Sequence, residues 1–195
     1  TPYVSLVHAG LGALEFEWNN LAAARQHFSD GIILARLWSQ WESLIPLTLG
    51  QAWIKQRAGE NQAAADILNE LGTPSLPGLD LALRAYAAYL GGSDSASGWL
   101  ASHPAESASE PNPMNEFLLL AVARMLACTH RTDQAITVLG KLIDFAQTNK
   151  RTHVVIQSKV ALSVIANQVD TLIEALNLEE QERYIYTYLM EGETM

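Results

Sequence analysis

Five histidines and one cysteine are the side chains in this sequence best suited to binding a metal or acting as a catalytic base. No two of the histidines are four residues apart, so the HExxH zinc motif is missing. Cys128 is the only cysteine, which rules out a cysteine cluster and an internal disulfide. No GxSxG sequence marks a nucleophilic serine. We therefore expect no enzyme, no metal and no cofactor, with structural or surface roles for His8, His27, His103, His130 and His153.

Arg124 is the charged residue whose position points most directly to ligand binding. It lies in the apolar stretch NEFLLLAVARMLAC, residues 115–128. A guanidinium on such a helix extends to solvent or meets a carboxylate, and it could equally donate hydrogen bonds to a ligand carboxylate, phosphate or sugar hydroxyl. Trp53 and Tyr89 could stack on a sugar or planar ligand, or pack in the core. To choose between these roles, one must know on which face of its helix each residue lies.

The composition of the 195-residue chain narrows the classes of function. Its 12 Lys and Arg residues against 21 Asp and Glu residues give a formal net charge of −9 at pH 7, which disfavours direct nucleic-acid binding. Hydrophobic residues make up 49%, enough for a sizeable core. The sequence contains no apolar run of about 18 residues, so we expect no membrane-spanning helix. We expect a cytoplasmic protein because the cysteine is single, and a fragment because TPYVSLVHAG lacks an initiator Met.

Helical periodicity runs through almost the whole sequence. Apolar residues recur three or four positions apart, as in Leu79, Leu83, Tyr86 and Leu90. Proline- and glycine-rich stretches at 72–78 and 102–115 separate the periodic segments. We predict an all-α fold, a single helical-repeat domain over 1–195 built as an α-solenoid of antiparallel helix pairs. The predicted pairs are approximately 2–36, 40–72, 78–103, 114–148 and 152–191.

A repeated phrase supports the solenoid. The stretch EWNNLAAARQHFSDGIILA, residues 17–35, has polar turn residues, a helix start, a small anchor residue, and a large apolar residue four positions later. The anchor and its large partner recur, more weakly in the third copy, as Ala24 and Phe28, Ala64 and Leu68, Ala96 and Leu100, and Ala135 and Leu139. Such units cannot bury their apolar face alone and so stack on one another. An ordinary helical bundle with coincidental alanines is the alternative.

A small residue also recurs twelve positions before the anchor. It is Gly12, Ala52 and Ala123 in three copies, but Arg84 in the third copy, where a slip of one residue to Ala85 could restore the pattern. These residues mark where the two helices of a pair cross. With that side packed, other positions of the first helices face the concave groove. The predicted groove residues are Phe16, Glu17, Trp53, Gln56, Tyr89 and Arg124.

These phrases resemble tetratricopeptide repeats, and the match to one family is closer. Residues 8–68 and 139–168, with the ending LNLEEQERYIYTYLMEGETM, are similar to the helical-repeat region of large bacterial LuxR-type regulators of the maltose-activator (MalT) kind. The phrase EWNxLxxA at 17–24 and the ending EGxxM at 191–195 carry the resemblance best. The segment between Ser163 and Glu174 departs from the family because its helix pair is short.

The resemblance implies a sensor region from a larger ATP-dependent transcriptional regulator. In that family a nucleotide-binding module precedes the helical repeats and a helix-turn-helix follows them, and an inducer or an inhibitory protein binds the repeats. This chain has neither a GxxxxGK[ST] phosphate loop nor a basic recognition helix. The implied partners are a small-molecule effector or a regulatory protein, the neighbouring domains, and further copies of the chain, with no direct nucleic acid and no membrane.

Two other functions remain open from the sequence. The first is a tetratricopeptide-type scaffold that docks a peptide or protein and has no small-molecule ligand; it would need a long open groove. A closed pocket lined by aromatic side chains with a few convergent polar groups would favour a small ligand. The second is an enzyme, which would need a nucleophile hydrogen-bonded to a base in a cleft.

Overall fold

Eleven helices and no strand make up the part of the chain that the structure, a computed structural model, describes: residues 3–71, 77–178 and 187. The predicted all-α fold class is confirmed. The helices are α1 (Val4–Glu17), α2 (Leu21–Leu37), α3 (Trp41–Arg57), α4 (Asn61–Leu71), α5 (Pro77–Leu90), α6 (Ser93–Ser102), α7 (Pro104–Ser107), α8 (Glu116–Cys128), α9 (Thr132–Thr148), α10 (Thr152–Ala166) and α11 (Val169–Asn177).

The observed helix pairs can be compared with the predicted ranges. The pairs α1–α2, α3–α4, α5–α6 and α8–α9 begin and end within three residues of them. The single turn α7 lies inside the stretch 102–115, which the sequence predicts as a loop. Helix α11 is only 9 residues long and ends at Asn177. The prediction that the last pair extends to 191 falls, apart from residue 187, outside the described residues.

The turns between helices follow one repeated geometry. A residue with positive φ ends the first helix at Asn19, Ser39, Gly59, His130 and Lys150, with φ from 52° to 77°. The residue after each donates its backbone N–H to the carbonyl five residues earlier at 2.8–2.9 Å. This is the Schellman arrangement, which satisfies carbonyls at a helix end. Because each turn is so short, consecutive helices must run antiparallel and pack side by side.

Helices pack on their neighbours in chain order, as the solenoid interpretation requires. Helix α2 packs on both α1 and α3, α4 packs between α3 and α5, and α9 packs between α8 and α10. Helix α8 also packs against α5 and α10, so first helices of successive pairs lie next to one another. No helix in the described ranges is long and apolar enough to cross a membrane.

The anchor residues that define the repeat are all fully buried between the packed helices. The four anchors Ala24, Ala64, Ala96 and Ala135 are each 0% exposed, including the one in the weak third copy. Their large partners are at most 5% exposed: Phe28, Leu68, Leu100 and Leu139. In the third copy Ala85 is 0% exposed, whereas Arg84 points outward and pairs with Asp80. The one-residue slip is therefore confirmed.

Phe28 shows how a small residue on one helix and a large one on the next interlock. Its ring lies against Gly12 of α1 and against Gly50 of α3, so it joins the first pair to the second. A methyl group added at either glycine would overlap the ring. At Gly12 the added carbon would lie 2.5 Å from the nearest ring carbon of Phe28, and at Gly50 it would lie closer still. Phe28 is 1% exposed, so its ring is packed on all sides within the core.

Helix α1 carries an apolar stripe that no described element covers. The stripe follows helical spacing and its members are 41–72% exposed: Tyr3, Val7, Leu11, Leu14 and Trp18. Every other first helix has an earlier pair packed against the corresponding side. A stripe of this extent is typical of a surface that contacts another protein surface.

Substitution of Gly50 by Ala tests the interlock. We expect Gly50→Ala to lower the free energy of unfolding by about 1–3 kcal/mol, because Phe28 is forced out of its position. Chemical denaturation followed by circular dichroism measures the change. The matched control is Gly140→Ala, where an added methyl meets no atom within 4 Å and the helix gains up to about 1 kcal/mol. Phe28→Leu should recover part of the loss in the Gly50→Ala background; an additive double mutant would contradict the interlock.

Candidate functional site

A cavity of about 240 Å³ lies where the first helices of the successive pairs converge. Its walls come from α1, α3, α5, α8 and α10, with residue 187 as a further wall, and we call it the inner cavity. The residues that line it are Phe16, Glu17, Leu49, Trp53, Tyr86, Phe117, Leu120, Arg124, His153, Gln157 and Thr187. Five helices thus meet at a single, partly open volume.

Aromatic rings form much of the inner cavity wall. The rings of Phe16 and Trp53 stack with centroids 5.4 Å apart and planes at 25°. The ring of Phe117 lies 5.5 Å from that of Tyr86. Phe16 and Tyr86 are each 1% exposed, so packing fixes them, whereas Trp53 and Phe117 are half-buried. These rings offer rigid faces on which a planar or ring-shaped ligand can stack.

Polar groups of both charge signs converge on the same cavity. Arg124 on α8 is 9% exposed, and Glu17 closes α1. The Oε1 atom of Glu17 lies 4.0 Å from Nε2 of His153 on α10. That same nitrogen lies 3.4 Å from Oγ1 of Thr187, which is 5% exposed. Together with the amide of Gln157, these groups present hydrogen-bond donors and acceptors to the cavity.

The six residues predicted for the groove occupy two layers of the site. Phe16, Glu17, Trp53 and Arg124 line the inner cavity. Gln56 and Tyr89 lie behind Tyr86 and do not line it. The Tyr86 hydroxyl donates a hydrogen bond to Oε1 of Gln56, and the Tyr89 ring stacks on the Tyr86 ring at 6.1 Å. Their contacts place Gln56 and Tyr89 as supports for Tyr86.

Tyr86 is the lining residue that the sequence could have identified. Trp53 follows the small residue Ala52 directly, and Arg124 follows Ala123 in the same way. With Ala85 as the small residue of the third copy, Tyr86 is the equivalent position. Using Arg84 instead puts Ala85 at that equivalent position. The one-residue slip therefore explains why Tyr86 was missed.

The remaining missed residues have no comparable signal in the sequence. Leu49 and Leu120 each lie three positions before a small crossing residue and read as ordinary core leucines. Helix α10 has no clear copy of the repeat phrase, so His153 and Gln157 could not be placed by register. Thr187 lies 34 residues from His153 along the chain, and only the fold brings them together.

Three of the histidines and the single cysteine considered as chemical groups in the sequence lie away from the inner cavity. The Nδ1 atoms of His8 and His27 are 3.2 Å apart between α1 and α2, and the His103 ring stacks on Trp99 with centroids 4.3 Å apart. No group of three or more His, Cys, Asp or Glu side chains able to hold a metal occurs in the described ranges. Cys128 is half-buried, and its Sγ lies 3.3 Å from the carbonyl of Met125.

Comparison with known families identifies this arrangement. The family described as the MalT-like TPR region matches residues 1–195. The chain belongs to this family. The resemblance predicted from the sequence is thereby confirmed, as is a tetratricopeptide-like repeat for the helix pairs. Neither the curated proteins nor the solved structures gave a match.

Membership of the MalT-like TPR family fits the geometry of the inner cavity. Helical-repeat regions of this type are typically non-catalytic interaction modules, and stacked first helices form their concave binding surface. In this chain the same helices carry the stacked aromatic rings, Arg124 and Glu17. The MalT-like TPR fold thus supplies an interaction surface with a small, partly open cavity.

Cys128 should react slowly while the chain is folded. Burial raises the pKa of its thiol, so the nucleophilic thiolate is scarcer at neutral pH than in an unfolded chain. We expect labelling by a thiol-reactive disulfide at neutral pH to be at least about tenfold slower in buffer than in denaturant. Absorbance of the released thiolate measures the rate. The folded-state rate should keep rising as pH increases above the ordinary thiol pKa. Equal labelling rates in buffer and in denaturant would contradict the protection of Cys128 by burial.

Proposed function

We propose that the chain is the signal-sensing and protein-interaction module of a MalT-like, LuxR-type transcriptional regulator, and that it binds a small-molecule effector in the inner cavity. The observation that carries the proposal is the convergence of five first helices on one compact, partly open, aromatic-lined volume with a few polar groups. Such a volume is typical of a small-ligand site, whereas a peptide scaffold would need a long open groove.

The lining favours a neutral, polar, ring-shaped effector. Arg124 provides several hydrogen-bond donors and Glu17 provides acceptors, so hydroxyl groups can pair with both. A strongly anionic ligand would meet the Glu17 carboxylate in the same cavity. Trp53 and Phe117 offer faces for the apolar side of a ring. A volume of about 240 Å³ is below the roughly 300–1,000 Å³ of drug-sized sites. A sugar ring satisfies all of these conditions.

The same geometry explains how binding would be relayed. A ligand in the inner cavity contacts five helices that belong to five different pairs. It therefore binds best in the one arrangement of the pairs that brings all those contacts together, and it shifts the population towards that arrangement. In the full regulator the shift would change contacts with the nucleotide-binding and DNA-binding domains. The proposed role requires no catalytic step and no cofactor in the module, and a regulator of bacterial transcription would act in the cytoplasm.

The apolar stripe on α1 supports the protein-interaction part of the proposal. Tyr3, Val7, Leu11, Leu14 and Trp18 expose a continuous apolar surface that matches the helix-on-helix contacts within the solenoid. Neighbouring domains or a second copy of the chain are the partners that would cover it. The net charge of −9 at pH 7 disfavours direct contact with nucleic acid.

Ligand-dependent unfolding tests the effector site. We expect one class of compound in a panel of sugars, amino acids, nucleotides and short peptides to raise the unfolding midpoint of the chain. A ligand at about 100 times its dissociation constant stabilises the folded state by about 2.7 kcal/mol. A response to sugars alone would support the assignment above. A response only to peptides would favour the scaffold function.

Two substitutions locate the binding. Arg124→Lys keeps the charge but loses the planar fork of donors, and we expect it to weaken binding by about tenfold. Trp53→Leu removes the stacking face and should weaken it similarly. The matched control is Arg36→Lys on the exposed side of α2, which should leave affinity unchanged. If both cavity variants bound the ligand with wild-type affinity, the inner cavity would be excluded as the binding site.

Charge placed on the α1 stripe tests the protein contact. We expect the double substitution Val7→Glu and Leu14→Glu to reduce self-association at high protein concentration, because both side chains are at least 50% exposed and an ionised carboxylate resists burial. Sedimentation velocity measures the assembly state. Gln147→Glu, on the exposed surface of α9, adds charge elsewhere and should have no effect. Equal self-association of all three proteins would exclude the stripe as the contact.

A further inference from the structure

A second and larger cavity, of about 340 Å³, lies on the other side of α8. Leu119 and Leu126 are seven residues apart and face it, whereas Phe117, Leu120 and Arg124 face the inner cavity from the opposite side of the helix. The other walls are the end of α6, the segment through α7 and the following loop, and the first half of α9. We call it the outer cavity.

The floor of the outer cavity is apolar. Leu100, Leu119 and Leu126 are each at most 5% exposed, and Val138 is half-buried beside them. Pro104 and Pro111 complete the apolar lining on the side of the loop. A non-polar ligand body on this floor leaves water and gains free energy from its buried area.

Most polar groups around the outer cavity are already paired. The hydroxyls of Ser107, Ser109 and Thr137 each donate to a backbone carbonyl three or four residues earlier, at 2.8–2.9 Å. The Nζ atom of Lys141 pairs with Oε1 of Glu110 at 2.5 Å, which joins the loop to α9. These pairings hold the walls together, and the charge of Lys141 is balanced by Glu110.

Arg131 is the exception among the lining residues. Its guanidinium makes no hydrogen bond or ion pair with any side chain of the described ranges, and none of the lining residues there is Asp or Glu. Arg131 also occupies the N-cap position of α9, where the helix dipole adds positive potential. Asp133, in the first turn of α9, does not line the cavity. The outer cavity therefore combines an apolar floor with one available cation.

We propose that the outer cavity is a binding site for a small amphipathic monocarboxylate. The aromatic or short aliphatic body lies on the leucine floor, and the carboxylate pairs with the fork of donors on Arg131. A single available cation matches a single negative charge, so dicarboxylates and phosphates bind less well. The site is separate from the inner cavity and does not depend on the function proposed for it.

Calorimetric titration of the whole chain with phenylacetate and octanoate tests the ligand class. Both acids should bind, and phenylacetamide, which has the same shape without the charge, should bind at least about tenfold more weakly. Equal affinity for the acid and its amide would overturn the assignment to Arg131, and no binding of either acid would overturn the proposal.

Two variants locate these carboxylates. Arg131→Gln changes an exposed side chain and should weaken phenylacetate binding by at least about tenfold. Val138→Phe fills the floor and should abolish binding. Arg36→Gln and Arg124→Lys should bind like the wild type, the latter because the inner cavity is a separate site. Thermal melts confirm folding; should Val138→Phe fail to fold, Arg131→Gln alone decides. Wild-type affinity in Arg131→Gln, or a loss in Arg124→Lys alone, would overturn the proposal.

Discussion

The close crossing of paired helices at a small residue is the constraint on which the rest of the structure depends. Helix axes approach closely only where the side chains between them are small, and a large residue one turn away then fills the wedge towards the next pair. The four anchor alanines, each 0% exposed, meet this condition in turn. Phe28 between Gly12 and Gly50 shows how tightly one pair is fixed to the next. Repetition of the crossing brings the first helices of successive pairs side by side.

The functional surface follows from that repetition. In three of the four copies the residue directly after the small crossing residue lines the inner cavity, and Trp53, Tyr86 and Arg124 therefore share one lining although 71 positions separate the first from the last. Helix α8 has a special place because its two faces line two different cavities. Arg124 on one face lies in a lining that also contains the Glu17 carboxylate, whereas Arg131, just after α8, lines a cavity with no acid among its described residues. The two arginines are therefore suited to ligands of different charge.

The sequence predicts the features that depend on local repetition. The helical periodicity, the anchors and the small residues predict the helix pairs, and a resemblance to MalT-like regulators could be recognised from short phrases. Tyr86 was missed because the third copy contains a slip of one residue. His153, Gln157 and Thr187 were missed because α10 has no clear copy of the phrase and because residue 187 approaches α10 only through the tertiary fold. The outer cavity could not be predicted at all, since it depends on how the loop after α6 folds back over α8 and α9.

Fluorine NMR of the chain labelled with fluorotryptophan is the most direct test of the inner cavity as the effector site. Four of the five tryptophans report on different places: Trp53 lines the inner cavity, Trp99 is buried in α6, and Trp18 and Trp38 are more than half exposed. When sugars, amino acids and nucleotides are added one at a time, we expect one class to shift the Trp53 resonance and to leave Trp38 and Trp99 unchanged. A sugar that stabilises the fold while the Trp53 resonance stays fixed would contradict the account, as would a panel in which no compound shifts it.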